Sequence, residues 1–163
     1  MNFFDPSCRE PELDESTFGL CDDQDGSRAY TNTYDPAKWI ATVKNDKNKI
    51  LTFTAIDKCV LDDAHKPGRG RCDGMLTSDG NEHIYFIELK NETQKWRKEA
   101  IKQLESTIQL FIEHHDIKVF RHKKAFACNK KHKRFQQIDH ELNLRFFRTY
   151  GVRIDVQANI IVV

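Results

Sequence analysis

Two carboxylates and one amine are spaced so that they could share a site. Asp73 precedes the short run Gly74-Met75-Leu76-Thr77-Ser78, and Glu88-Leu89-Lys90 closes a second run that begins at His83. Ser78-Asp79-Gly80-Asn81 lies between the runs, and Asp-Gly is a strong signal for a two-residue hairpin turn with positive φ at both central positions. With Asp79 and Gly80 at the tip, Thr77 falls opposite Glu82, Met75 opposite Ile84, Asp73 opposite Phe86 and Arg71 opposite Glu88. Side chains alternate along a strand and opposed residues share a face. Asp73, Ile84, Phe86, Glu88 and Lys90 therefore point one way, and Tyr85, Ile87 and Leu89 the other. Asp73 and Glu88 become diagonal neighbours, roughly 7–8 Å apart at the backbone, with side chains able to converge. Acidic oxygens so placed suit a hard divalent cation, Mg²⁺ or Mn²⁺. A lysine beside them can orient water or stabilise charge on a phosphate.

The order Asp73, then Glu88-Leu89-Lys90, resembles the core motif of the PD-(D/E)XK nuclease superfamily. The resemblance covers the hairpin and the helix after it, about half the chain. Cys72 stands where the superfamily's name has proline, and no acidic residue on a preceding helix matches the further ligand that many members carry. The resemblance implies a restriction-endonuclease-like fold, a mixed β-sheet flanked by α-helices. It implies a Mg²⁺- or Mn²⁺-dependent nuclease acting on DNA, with Asp73, Glu88 and the Leu89 carbonyl as metal ligands and Lys90 as the catalytic lysine. Gln103, or Lys98, resembles the polar residue that many members turn from the helix toward the site. A homodimer with one site per strand, or a protein partner, is compatible with this picture. A fold of this kind without activity would serve as a nucleic-acid-binding or assembly module. Without the motif, Glu88 and Lys90 read as an ordinary solvated strand end.

The elements that must position these residues follow from periodicity. Trp96, Ala100, Leu104, Ile108, Phe111 and Ile112 recur at three- and four-residue spacing, which predicts a helix over 94–115 with Gln103 bordering its apolar stripe. Phe135, Ile138, Leu142, Phe146 and Tyr150 predict a second helix from Arg134 to Tyr150, ended by Gly151 in a left-handed conformation. Ala125–Cys128 reads as a strand between them, and 152–156 and 159–163 as closing strands. Upstream, 39–43 and 50–56 are rich in β-branched and aromatic residues and read as a hairpin. The loop Lys66-Pro67-Gly68-Arg69-Gly70 delivers the chain to Arg71 and would set Arg69 and Arg71 near a bound phosphate. Residues 1–36 read as an acidic arm with a short helix over Glu12–Leu20. The expected fold is thus one α/β domain over 1–163: an N-terminal arm (1–36), then a core (37–163) with an extra β-hairpin.

Composition bounds the rest. The chain has 163 residues, 39% hydrophobic and 31% charged, which suits one folded domain, and no apolar run approaches the roughly 20 residues of a membrane span. The start, Met-Asn-Phe-Phe-Asp-Pro, lacks the basic and apolar regions of a signal peptide, so a cytoplasmic location is the default expectation. With five cysteines and no C-x-x-C, reduced thiols are expected. Net charge is +1, but it is uneven: Met1–Pro36 has nine acidic and two basic residues, Lys118–Arg153 eleven basic and two acidic. The basic segment, above all Lys130, Lys131, Lys133 and Arg134, has the electrostatic character of a phosphate-backbone surface, or of a solvated face balancing the acidic arm.

Overall fold

A strand that is apolar on both faces needs a cover on each, and that requirement organises this protein into three layers. The computed structural model describes residues 1–62, 70–138 and 140–163. Among them run β1 (Thr17–Cys21), β2 (Tyr30–Asn32), β3 (Ala41–Lys44), β4 (Leu51–Ala55), β5 (Gly74–Ser78), β6 (His83–Lys90), α1 (Arg97–His114), β7 (His122–Asn129), α2 (His140–Tyr150), β8 (Arg153–Val156) and β9 (Asn159–Ile161). One mixed sheet has the order β4-β5-β6-β7-β8, antiparallel as far as β6 and parallel beyond it. A second mixed sheet has the order β2-β1-β3-β9, with β9 parallel to β3.

β6 is the middle of the middle layer, and every position before Lys90 is buried. Ile84 and Phe86 pack with Ala100, Leu104, Ile108 and Phe111 of α1 and Phe146 of α2. Tyr85, Ile87 and Leu89 pack instead with Phe18, Leu20, Val43 and Ile160 of the second sheet. The two faces are those the alternation predicts. The hydrophobic stripe also places α1 as expected, and Gly151, at φ 72°, ends α2.

Several elements differ from the sequence expectation. Residues 39–56 are not a hairpin: β3 belongs to the second sheet and β4 to the first. Buried Asn45 makes the corner between them, donating from Nδ2 to the Glu15 and Lys49 carbonyls and accepting the Lys49 N–H at Oδ1. The acidic arm is not a loose appendage. It contributes β1 and β2, so the segment expected as a short helix over Glu12–Leu20 holds a strand, and Phe3 and Phe18 are fully buried. Helix α2 starts at His140, leaving Phe135 outside it and 62% exposed. Not all thiols are free: Cys8 and Cys59 form a disulfide, while Cys21, Cys72 and Cys128 are free and buried. Most of the expected glycine-rich loop, from Lys66 to Arg69, lies outside the described residues.

Gly74 opens β5 with no room for a side chain, since a Cβ there would collide with the Phe53 ring and lie 3.0 Å from the Thr54 carbonyl. Gly74→Ala should destabilise the fold by about 1–3 kcal/mol, the usual range for overpacking. Urea melts of Gly74→Ala alone and combined with Phe53→Leu check this, with the smaller side chain expected to restore part of the loss.

Candidate active site

The candidate side chains Asp73, Glu88 and Lys90 gather where β5 begins and where β6 and β7 end. β6 and β7 run in parallel register, His83 beside His122 and Lys90 beside Asn129. At the far end the Lys130 N–H donates to the Lys90 carbonyl (2.9 Å). Fully buried Asn129 clamps the loop that leaves β6: its Oδ1 accepts from the Glu92 and Lys131 N–H groups, and its Nδ2 donates to the Glu92 carbonyl.

The hairpin register differs from the expected one by two residues, with Met75 opposite Phe86 and Gly74 opposite Ile87. The cause is the turn. Asp79–Asn81 form a 3₁₀ turn with Gly80 and Asn81 both at positive φ, and the loop takes up four residues, 79–82, rather than two. A shift of two preserves the face of every side chain. It also carries Asp73 from a diagonal position to the level of Glu88.

Asp73 is held from both sides. Its N–H donates to the Ile87 carbonyl (3.0 Å), its carbonyl accepts from the Ile56 N–H (3.0 Å), and its Oδ2 accepts from the Leu89 N–H (2.7 Å). Asp73 and Glu88 are both buried, at 9% and 3% exposure. Glu88 Oε2 lies 3.4 Å from Lys90 Nζ, which is also 3.7 Å from Glu99 Oε1. Glu88 Oε1 is buried with no hydrogen-bond partner among the described residues.

Burial pushes the Asp73 carboxyl up to about 7, helped by the charge of Asp22 and opposed by the Leu89 N–H. Burial, and then the Asp73 charge, lift Glu88 well above the carboxylate range, with Lys90 offsetting part of the rise. Lys90 loses hydration too, but Glu88 and Glu99 outweigh that loss and hold its ammonium above its usual range. The Asp73–Glu88 pair therefore keeps at least one proton at neutral pH when nothing else neutralises it. Asp22, just past β1, is a third carboxyl beside Asp73. Nothing in the local pattern singles it out, because it is one of nine acids in a segment expected to be an arm, and only the packing of β1 brings it here. Sulfur does not compete with these oxygens: burial, reinforced by the charges of Glu88 and Asp73, holds the Cys72 and Cys128 thiols far above their usual range, and so protonated.

The remaining expected residues divide. Gln103, on α1, packs over Gly70, where a Cβ would lie 3.4 Å from its Cα and Cγ, and its Oε1 is buried without a hydrogen-bond partner among the described residues. One turn further, Thr107 Oγ1 accepts the Cys72 N–H (2.7 Å), tying the same helix to the residue before Asp73. Arg71 is engaged by Asp57 (3.0 Å). Arg69 lies outside the described residues. Lys130, Lys131, Lys133 and Arg134 are in the loop after β7, at the carboxylate end of the sheet. Arg121, Lys123, Lys124 and Arg153 lie at the start of β7 and β8, the opposite end, so the basic segment is two surfaces rather than one.

That opposite end holds another metal-like group, Glu82, His83 and His122, whose ligand atoms lie within 4.8 Å of one another. Two of its three members are occupied. His83 Nδ1 meets Ser78 Oγ (2.8 Å), His83 Nε2 meets the Val163 carbonyl (2.6 Å), and Glu82 pairs with Lys49 (3.0 Å). Neither a family model, nor a curated protein, nor a solved structure matches this chain.

The electrostatics give a signed prediction for the protein in chelator. The unfolded chain releases the Asp73 proton near pH 4, the folded protein at about 7. Between these values the native state binds more protons, so this contribution to stability is present below about pH 4 and is lost as pH rises through about 7. Asp73→Asn should remove that slope and stabilise the protein at about pH 8, by on the order of a few kcal/mol. Urea melts at about pH 5 and 8 measure both, and a destabilised Asp73→Asn at the higher pH would contradict the burial of charge described above.

Proposed function

We propose that the protein is a metal-dependent nuclease that hydrolyses phosphodiester bonds, with DNA as substrate, and that its fold is restriction-endonuclease-like. The observation that carries the reading is the pair Asp73 and Glu88: two buried carboxyls side by side, one oxygen without a hydrogen-bond partner among the described residues, and Lys90 3.4 Å from Glu88. Such a pair is costly unless a cation neutralises it. The succession of a β5–β6 hairpin, α1, parallel β7, α2 and parallel β8 supports the fold that the Asp73…Glu88-Leu89-Lys90 motif implies.

The donor set is all oxygen and fits Mg²⁺ or Mn²⁺. Asp73, Glu88 and the Leu89 carbonyl would hold the ion, with Asp22 as a further carboxylate. A divalent ion supplies a Lewis acid that polarises phosphate and acidifies water. Glu88 keeps the Lys90 ammonium charged and close, and Lys90 stabilises the negative charge that builds on the phosphate in the transition state. The Leu89 N–H fixes the Asp73 carboxylate, so the site is organised before substrate arrives. The loop from Lys130 to Arg134 attracts the phosphate backbone at the same end of the sheet.

Plasmid, linear duplex and single-stranded DNA incubated with Mg²⁺, Mn²⁺ or chelator test the activity. Cleavage should require the ion. Asp73→Asn and Glu88→Gln should abolish it, and Lys90→Met should slow it by about 10²-fold or more, the scale of losing one preorganised donor. Tight salt-dependent DNA binding with no cleavage under any ion would give the inactive binding module instead.

Binding should weaken with salt at a log–log slope near −0.9 per duplex phosphate neutralised. Alanine at Lys130, Lys131, Lys133 and Arg134 together should flatten that slope, whereas alanine at Arg121, Lys123 and Lys124 should leave it nearly unchanged. The reverse result would move the DNA surface to the other end of the sheet.

A further inference from the structure

The loops that leave β6 and β7 enclose an open cavity of about 600 Å³, lined by Thr93, Lys95, Trp96, Arg97, Lys98 and His132 among others. We propose that this cavity binds an unpaired nucleobase next to the scissile phosphate, so that the favoured substrate is single-stranded nucleic acid. The proposal rests on the nuclease reading for its substrate, but the site itself is defined by its own geometry.

Position is the first argument. The cavity begins a few residues after Lys90, and Glu99, the neighbour of Lys98 on α1, reaches back to Lys90 at 3.7 Å. Its two walls are fastened together: Asn129 clamps Glu92, His132 Nε2 meets the Thr93 carbonyl (2.9 Å), and an Arg97 N–H donates to the Gln137 carbonyl (3.1 Å). Between them Lys95 holds a positive φ of 57°, a conformation that a non-glycine residue keeps only where its surroundings impose it.

Chemistry is the second. Trp96, 4% exposed, forms a rigid floor, and the exposed His132 ring lies nearly parallel to it, 9° between planes and 6.3 Å between centroids. Lys95 and Lys98 stand at the same cavity with no acidic partner among the described residues. A ligand with a flat apolar body and an anionic group uses both features. A bare phosphate would leave the rings unused, and an uncharged apolar ligand would leave the cations unused. A nucleotide uses both, and the volume is within the range of small-ligand sites. Phe135, 62% exposed and next in sequence to Gln136 of the cavity lining, is an exposed aromatic ring of the kind on which bases stack. In a duplex the bases are stacked on one another and paired, so only an unpaired nucleotide can enter.

The test is binding, not cleavage. Glu88→Gln protein in chelator is titrated into labelled single-stranded and blunt duplex DNA of equal length, followed by fluorescence anisotropy. The single strand should bind about 10-fold tighter, the scale of one stacked base. His132→Ala, which also loses the bond to the Thr93 carbonyl, and Phe135→Ala should each remove much of that preference with the protein still folded at the assay temperature, as a melting curve checks, and His132→Phe, which loses the same bond but keeps a ring, should retain it. Alanine at Lys130 and Lys131 should weaken both ligands alike. Equal affinity for the two DNAs, or a preference that survives both ring deletions, overturns the proposal. An inactive protein that keeps the ring-dependent preference refutes the nuclease reading and leaves this site standing; an active enzyme without the preference does the opposite.

Discussion

Asp73 and Glu88 are taken out of water side by side, and most neighbouring elements bear on the consequence. A buried carboxyl beside another loses hydration and gains repulsion, so the pair resists full ionisation. Held on loops, the two would swing apart into solvent. They stay together because Asp73 is bonded along its backbone to Ile56 on one side and Ile87 on the other, and through its side chain to Leu89. The segment that donates from Ile56 is anchored in turn. Cys59, three residues on, is joined to Cys8 across a separation of 51 residues, a cross-link on the order of 4 kcal/mol in the chain-entropy account. The N-terminal segment thus supports the site from a distance as well as supplying Asp22.

Local pattern made some of this legible in the sequence. Strand alternation identified both faces of β6, and hence that Asp73, Glu88 and Lys90 share one. The face survived a register error because the true loop is longer by two, an even number; a shift of one would have sent Glu88 and Lys90 to the opposite side. The 3.6-residue stripe identified α1 for the same reason: the period is a property of the element itself. Elements whose partners are distant in sequence were not legible. β3 and β4 look like a hairpin because both are β-rich and close together, and only the buried side-chain bonds of Asn45 show that the chain turns between sheets there. The Cys8–Cys59 pairing and the approach of Asp22 are likewise products of tertiary packing. Phe135 shows the limit of periodicity, since it fits the α2 stripe by spacing yet lies outside the helix.

The two ends of β6 show why partner satisfaction matters more than residue type in locating a site. At its start, Glu82, His83 and His122 bring carboxylate and imidazole ligand atoms within 4.8 Å of one another. Yet His83 is bonded at both ring nitrogens and Glu82 is paired with Lys49, so binding an ion there would first break contacts that hold the Ser78 turn and the Val163 carbonyl. At the other end, Glu88 keeps a buried oxygen, Oε1, with no hydrogen-bond partner among the described residues. A group already satisfied gains little from an added cation and loses what it had, whereas an unsatisfied buried carboxylate gains the whole interaction. The same criterion separates the basic residues. Lys123 donates to the Phe120 carbonyl, Arg153 lies over the Phe147 ring and Lys130 donates to the Ala37 carbonyl, while Lys131, Lys133 and Arg134 stand exposed in the loop after β7 and Arg121 stands exposed at the other end. The buried acidic oxygen left without a hydrogen-bond partner among the described residues therefore lies at the end of the sheet where β5 begins and β6 and β7 end, away from the Glu82, His83 and His122 group.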